Sequence, residues 1–502
     1  MLQRENNQKD FFDDYVYRRL LPEKHILLDI KTKIDFSFVE EVTKPLYSDN
    51  MGRPSFPPVV LFRMLFLEFF YNLSDYRIVD EVKTNILFRY FTGLAISDDT
   101  PDDTTLVVFR RRLGEERFKN LFDRVVKKAK DMGIIEGKLK ILDATHIHAD
   151  IALQGAVNFL RDGRSKVVKK IEKVNSGEAS RLKERHVNEN KLYGSPNESE
   201  IKKEMDLTRE FIKETKGKFT EDIEELIELL DTATYQQEKK IYDPEHKEQD
   251  EVVSFTDKDA RYGHKSEKKR FTGYKAHVSM DDGSGIVTST RTITGNKNEG
   301  SNKEVKEILE EDESKDMSHQ AVVADSLYDS YDNRNRIHKL DMRAFIPRRT
   351  KTRKKMVQLE NFIYDDKEDT LICPKGHSPM SKTRQEKGTL FIFSTHHCKY
   401  CRNLYNCSSG NLDRTRIFVS NDYRLYLIDN IPDKKEAIIK RKGIERKFGE
   451  AKKWHGMDRA RYRERWRVAI QVFMTFLVVN IKRMIKLLSP VPQYALSRSG
   501  FG

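Results

Sequence analysis

Two apolar runs in this chain stop on an aspartate, and that constrains where both runs can lie in a fold. KLKILD ends at Asp143 and AVVAD ends at Asp325, each with the aliphatic and β-branched content of a buried strand. A carboxylate at the end of a buried strand is held rigidly at the rim of a sheet. A third acid, Glu445, lies in the helix-like segment KRKGIERKFGEAKKWHG. Packed nearby, it would complete an oxygen cage for a divalent cation. Three acids in these settings point to metal-dependent phosphodiester chemistry.

At 502 residues the chain exceeds one compact core, so several structural units are expected. Its 93 Lys and Arg outnumber 80 Asp and Glu, for a net charge of +13, a balance that favours a polyanionic partner. The opening MLQRENNQKDFFDDYVYRRLL is polar and mixed in sign, unlike a secretory leader, which argues for a cytoplasmic protein. The most apolar stretch, Val468 to Ile481, is interrupted by Gln471, Thr475 and Asn480. It falls short of the roughly 20 residues that span a bilayer and reads as a buried helix, with no membrane partner.

Residues 1–132 form an expected N-terminal helical domain. GRPSFPP gives a proline-rich entry to VVLFRMLFLEFFYNLSDYRIVDEV, whose apolar residues recur at helical spacing. Farther on, Asp103 or Thr104 is positioned to cap a helix that carries Arg110, Arg111 and Arg112. These three arginines form either a DNA contact or a solvated basic face. The strand KLKILDATHIHAD opens a mixed-sheet α/β core over 138–350 and 410–490. Residues 155–250 interrupt it as a charged insertion of long exposed helices with few large apolar residues. Two strands joined at an Asp-Asp-Gly turn follow (KRFTGYKAHVSMDD, GIVTSTRTITG), then a helix, the strand QAVVAD, a helix and the strand MRAFIPR. Asp257, Asp259 and Asp329 read as turn or cap residues, and His146 and His148 as packing beside the Asp143 strand rather than as ligands.

All four cysteines, Cys373, Cys398, Cys401 and Cys407, fall within a small insertion at 360–410. In a reducing compartment this clustering favours a closed, structural zinc site over disulfides. The Cys398/Cys401 pair is its specific part; His377, His396 or His397 can replace one of the looser cysteines, and unligated thiols are the alternative.

Arg441, Glu445 and Lys452 are four and seven residues apart, which places them on one face of a helix. An acid flanked by two cations suits metal and phosphate contacts; a surface helix with internal ion pairs is the plainer reading. Glu450 competes with Glu445 but lies off that face.

These motifs together resemble the DDE transposases of bacterial insertion sequences, in the branch with an N-terminal helical domain and a four-cysteine insertion. The resemblance runs through GRPSFPP, FRYFTGL and PDDTTLVVFRRRL, then ILDATHIHAD, TDKDARYGHK, GYKAHVSMD and VVADSLYDS, to the last helix, where Ile438 stands in place of a common tyrosine. It implies an RNase H-like core in which Asp143, Asp325 and Glu445 are catalytic and hold two Mg²⁺ or Mn²⁺ ions. Double-stranded DNA would be the partner, as terminal inverted repeats and target, engaged by Arg441, Lys452 and the arginines at 110–112, with a homodimer in the synaptic complex. A nuclease of the same fold that cuts without joining, and an inactive DNA-binding regulator, are the competing expectations.

Overall fold

The computed structural model describes residues 11–489 apart from 49–50, 53, 189, 244–249, 267–268, 350–358, 403 and 405–414. Its organising element is strand β1 (Leu139–His148), flanked by β3 (Lys269–Asp281) and β5 (Ala321–Val323). The β1–β3 pair is antiparallel from Lys140 opposite Asp281 to His148 opposite Gly273. The β1–β5 pair is parallel, with Ile141 opposite Val323. β6 (Arg343–Phe345) extends the parallel side. On the antiparallel side β3 pairs with β2 (Arg261–Ser266) through its first residues and with β4 (Val287–Thr294) through the rest. Gly273, at the changeover, has φ 145°, and a Cβ there would sit 2.2 Å from the carbonyl oxygen of Ile147. Only glycine lets β1 and β3 approach so closely.

The two faces of this sheet meet different partners, as the two-residue alternation of strands requires. Ile141, Ile147, Tyr274, Ala276, Val278 and Val323 belong to the largest core, shared with the N-terminal helices and the C-terminal helix. Leu142, Val322 and Ala344 face the other way, onto Val305, Ile308, Leu309 and Ile337 of the helices Asn302–Glu313 and Tyr331–Lys339. Asp143 alternates with Leu142 and so shares the face of Ile141.

The N-terminal region is helical, as its periodicity predicts. Pro58 opens the helix Pro58–Phe70, Ser74 and Asn85 cap the next two, and Asp102, one residue earlier than expected, caps Asp103–Asp131. That helix bends at Gly114, whose φ is 64°. The long helix Arg465–Leu488 packs between β4 and these helices. It has the length and apolarity to cross a membrane, but its apolar window is 89 % buried. Two of the polar residues that interrupt it, Gln471 and Asn480, are backbone clamps. The Asn480 side chain accepts from Val287 N and donates to Val287 O, and the Gln471 amide donates to the carbonyls of Gly456 and Arg459. Asp257 and Asp259 are caps, as expected: their carboxylates accept the N–H groups of Glu464 and Arg465 at the start of this helix. Asp329 caps no helix; it receives the buried guanidinium of Arg334 while Ser330 does the capping.

The charged insertion departs from the expected exposed helices. Its four helices, Ala156–Glu172, Ser176–His186, Glu198–Thr215 and Glu221–Tyr242, enclose a core of their own that includes Leu160, Val167, Ile171, Leu182, Phe211 and Ile227. Phe255, in the returning chain, stacks on Phe159 and anchors the bundle's base. The cysteine-bearing insertion likewise has its own core of Phe362, Phe391, Phe393 and Ile417.

Arg110 does not reach outward. It is 7 % exposed, with its two terminal nitrogens on the Asp75 carboxylate at 2.5 Å and one of them 3.3 Å from Glu68. Arg461 reaches the other oxygen of Glu68 at 3.0 Å, so the network ties the N-terminal helices to the chain entering the C-terminal helix. Removing one partner from a buried ion pair leaves charge uncompensated. Arg110→Met should therefore lower unfolding free energy by about 3 kcal/mol, while Arg111→Ala, on the exposed side, should change it by less than about 0.5 kcal/mol. Urea unfolding followed by tryptophan fluorescence measures both, and equal losses would return Arg110 to the surface.

Candidate active site

The β1–β5 ladder ends at Ile141 opposite Val323, two residues before Asp143 on one strand and Asp325 on the other, and the two carboxyls are near enough for Asp325 to raise that of Asp143. Asp143 does not end its strand as expected: it lies inside β1, opposite Val278, because the ladder with β3 carries the strand on to His148, whereas Asp325 follows the end of β5. Asp143 Oδ1 accepts the N–H of Ala144 at 2.9 Å, and Oδ2 accepts Arg441 Nη1 at 3.0 Å. Asp325 Oδ1 accepts Leu327 N at 2.8 Å and caps the short turn Ser326–Tyr328. Burial pushes the Asp143 carboxyl up to about 6, with Asp325 and Glu299 adding to the rise against the pull of Ala144 N–H and Arg441. Asp325 is raised for the same first reason and by Glu299.

Arg441 ends the helix Asp433–Lys440, and Glu445 lies in the first turn of the next, Gly443–His455. The expected single helical face is therefore broken at Lys442–Gly443, yet the second helix packs against β1 on the face that bears Asp143. Glu445 is exposed and makes no hydrogen bond or ion pair among the described residues. Glu450 is engaged elsewhere, with Lys482 at 2.9 Å and Lys447 at 3.6 Å. Lys452 pairs with Asp458 at 3.4 Å. The carboxylate oxygens of Asp143, Asp325 and Glu445 do not all close to within 4.8 Å of one another.

Two further residues complete the surroundings. Glu299, in the turn after β4, raises both aspartates and is held by Lys275 at 2.7 Å. Its only signal in the sequence is an acid in the glycine-containing turn GNKNEG that leads from a strand to a helix. Tyr328 is buried beneath the acids; desolvation, then Asp143, Glu299 and Asp325, hold its hydroxyl in the protonated form.

Two family models match this chain: "Transposase domain (DUF772)" over residues 15–112 and "Transposase DDE domain" over residues 233–481. The chain belongs to the DDE transposases of insertion-sequence type. No solved structure matches it. The transposase has an RNase H-like core, acts on DNA, and is a metal-dependent polynucleotidyl transferase. Strand β1 with Asp143 lies in neither matched span; Asp143 is placed by its pairing with Val278 of β3 and by Arg441.

The donor set fits the divalent cation that the family uses. It is oxygen only, two of its acids are desolvated near each other, and the third is unpartnered on a packed helix, as suits Mg²⁺ or Mn²⁺. In the cysteine insertion, Cys373, Cys398 and Cys401 line one cavity with His377 and His397, and the Cys398 thiol is raised by burial and by Cys373 and Cys401. Cys407 lies outside the described residues. Among the basic residues expected to contact DNA, Arg111 and Arg112 are exposed, Arg441 and Lys452 are half-buried on acids, and Arg110 is buried.

The raised carboxyl of Asp143 gives stability a pH dependence of definite sign. The folded state holds this proton more tightly than the unfolded chain, so stability is greatest at low pH and declines as pH rises from about 4 to about 6. Asp143→Asn removes that decline. Without added metal, the variant should match wild type near pH 4 and exceed it at pH 7 by roughly 2 to 3 kcal/mol. Urea unfolding across this range reads the difference, and a constant difference would show that Asp143 titrates as an ordinary carboxylate.

Proposed function

We propose that this transposase binds the terminal inverted repeats of its element and catalyses both DNA cleavage and strand transfer through Asp143, Asp325 and Glu445. The observation that supports the reading is the proximity of Asp143 and Asp325 beyond the β1–β5 ladder, with Arg441 on Asp143 and the Glu445 helix packed against β1. Two bound Mg²⁺ or Mn²⁺ ions would supply activation of a water or 3′-hydroxyl nucleophile and stabilisation of the leaving oxygen. The protein's own work is positional. The N–H groups of Ala144 and Leu327 fix one oxygen of each aspartate. Arg441 neutralises Asp143 in the absence of other cations, and its remaining donors suit a phosphate. Lys452 offers a second cation, and Arg111 and Arg112 offer exposed charge for the duplex backbone or groove. Synapsis of two element ends calls for a homodimer, acting in the cytoplasm.

Asp143→Asn, Asp325→Asn and Glu445→Gln should each reduce cleavage of inverted-repeat DNA by at least about a thousandfold, a loss of about 4 kcal/mol of transition-state stabilisation. Retention of the same DNA should change little, because phosphate-binding charge is kept. Glu450→Gln, which removes only a contact to Lys482 and Lys447, should leave cleavage within about threefold, less than 1 kcal/mol. Gel-based cleavage and mobility-shift assays on the full chain decide this. Full activity in any one of the first three removes that residue from the site.

The insertion's cysteines are proposed to hold a structural zinc, with Cys373, Cys398, Cys401 and Cys407 as ligands. The supporting observation is the convergence of the three described cysteines on one cavity. Cys398→Ser should lower the zinc content of the purified protein and expose the segment 373–407 to protease, since such a site contributes directly to local folding. Wild-type protein free of zinc by elemental analysis would reject it.

A further inference from the structure

A second cluster of metal-binding side chains lies at the far end of β1. His146 and His148 are two residues apart on one strand, so both rings leave the same face. Their centroids are 5.2 Å apart at 86°, and both rest against the buried ring of Phe271, at 5.2 and 6.0 Å. Neither imidazole makes a hydrogen bond among the described residues. Asp458 comes from the turn that follows the Glu445 helix, and this turn is fixed to the strand by His148 N–H donating to Asp458 O at 2.9 Å and Ala460 N–H donating to His148 O at 2.7 Å. One donor atom from each of His146, His148 and Asp458 lies within 4.8 Å of the other two. Ligands on tetrahedral zinc are about 3.4 Å apart, given bonds of about 2.0–2.1 Å. Rotation of exposed side chains covers that difference.

We infer that His146, His148 and Asp458 form a binding site for a borderline divalent cation of the Zn²⁺ class, separate from both the carboxylate centre and the cysteines. Two imidazole nitrogens and one carboxylate oxygen select Zn²⁺ over Mg²⁺, and three protein donors leave one position for water or an anionic oxygen. The opposing charges are Lys452, 3.4 Å from one Asp458 oxygen, and Lys265, which also faces His146; a cation would take the other Asp458 oxygen or displace the Lys452 ammonium. The mechanical consequence follows from the elements joined. A cation here clips the C-terminal end of the helix bearing Glu445 to the strand bearing Asp143, and so fixes the acids relative to each other. The inference does not depend on the transposase reading, because its test counts metal.

The test is equilibrium dialysis of the full chain against Zn²⁺ in excess Mg²⁺, with bound zinc counted by mass spectrometry. Wild type should bind one more equivalent than the double variant His146→Ala/His148→Ala. Asp458→Asn, at a 61 % exposed side chain whose loss cannot unfold the core, should weaken that equivalent by at least about tenfold. Circular dichroism verifies the fold of each protein. Because the cysteine site is common to all three, only the difference matters. Zinc uptake by either variant equal to that of wild type overturns the site.

Discussion

Every functional feature of this transposase depends on β1 being paired on both edges, antiparallel to β3 and parallel to β5. A side-chain period of two means that a one-residue slip on either edge would turn Asp143 away from Asp325 and into the opposite core. The register is secured from both sides. Alternate residues of β1 enter two different apolar cores, and the approach of β1 to β3 tolerates only glycine at 273. The position of Asp143 is thus specified by packing.

The cost of that geometry is electrostatic. Burial first, and Glu299 after it, raises both Asp143 and Asp325, and Asp325 adds to the rise at Asp143, so the folded state carries crowded negative charge in a partly dry setting. Arg441 on Asp143 and Lys275 on Glu299 offset part of it. Neither cation satisfies Asp325, whose one protein partner among the described residues is the N–H of Leu327. An anionic pocket left incompletely balanced is what a divalent cation enters most favourably, and the same imbalance marks a site kept for function rather than for stability.

Much of this was legible in the sequence because apolar runs and charge carry the same message there. ILD and VVAD read as strands, although β1 runs five residues past Asp143, the Asp-Asp-Gly turn joined β3 to β4, and Gln471 and Asn480 marked a buried helix. What escaped reading has physical reasons. β2, with the sequence RYGHKS, lacks the alternation that reveals a strand, since its ladder with β3 supplies the order. The insertion's core is dispersed, one or two apolar residues per turn among lysines and glutamates, as in Val167 and Ile171 or Ile223 and Ile227. Successive residues on a helix are about 100° apart, so three arginines in a row cannot share a face. Arg110 turns inward to Glu68 and Asp75 while Arg111 and Arg112 turn out, and nothing local distinguishes them. Glu299 sits in a turn, where an acid is too common to stand out.

The cores also say where this protein resists a change of shape. Independent motion of domains is expected where their interface is small and polar, and the N-terminal helices meet no such interface. Leu27, Phe66, Val125, Ile141, Val278 and Phe473 belong to one continuous cluster, reinforced by the buried Glu68–Arg110–Arg461 network. Swinging the helix that carries Arg111 and Arg112 away from the sheet would open that core, so these two arginines are fixed in distance from Asp143 and Asp325. The helical insertion and the cysteine unit each have a core of their own, but the helix Asn421–Ile428 of the latter packs on Tyr331–Lys339 and is tied to it through Asp429, which meets Arg334 and His338. The N-terminal helices and β1 are therefore one packed body, to which the cysteine unit is tied through the helix Tyr331–Lys339.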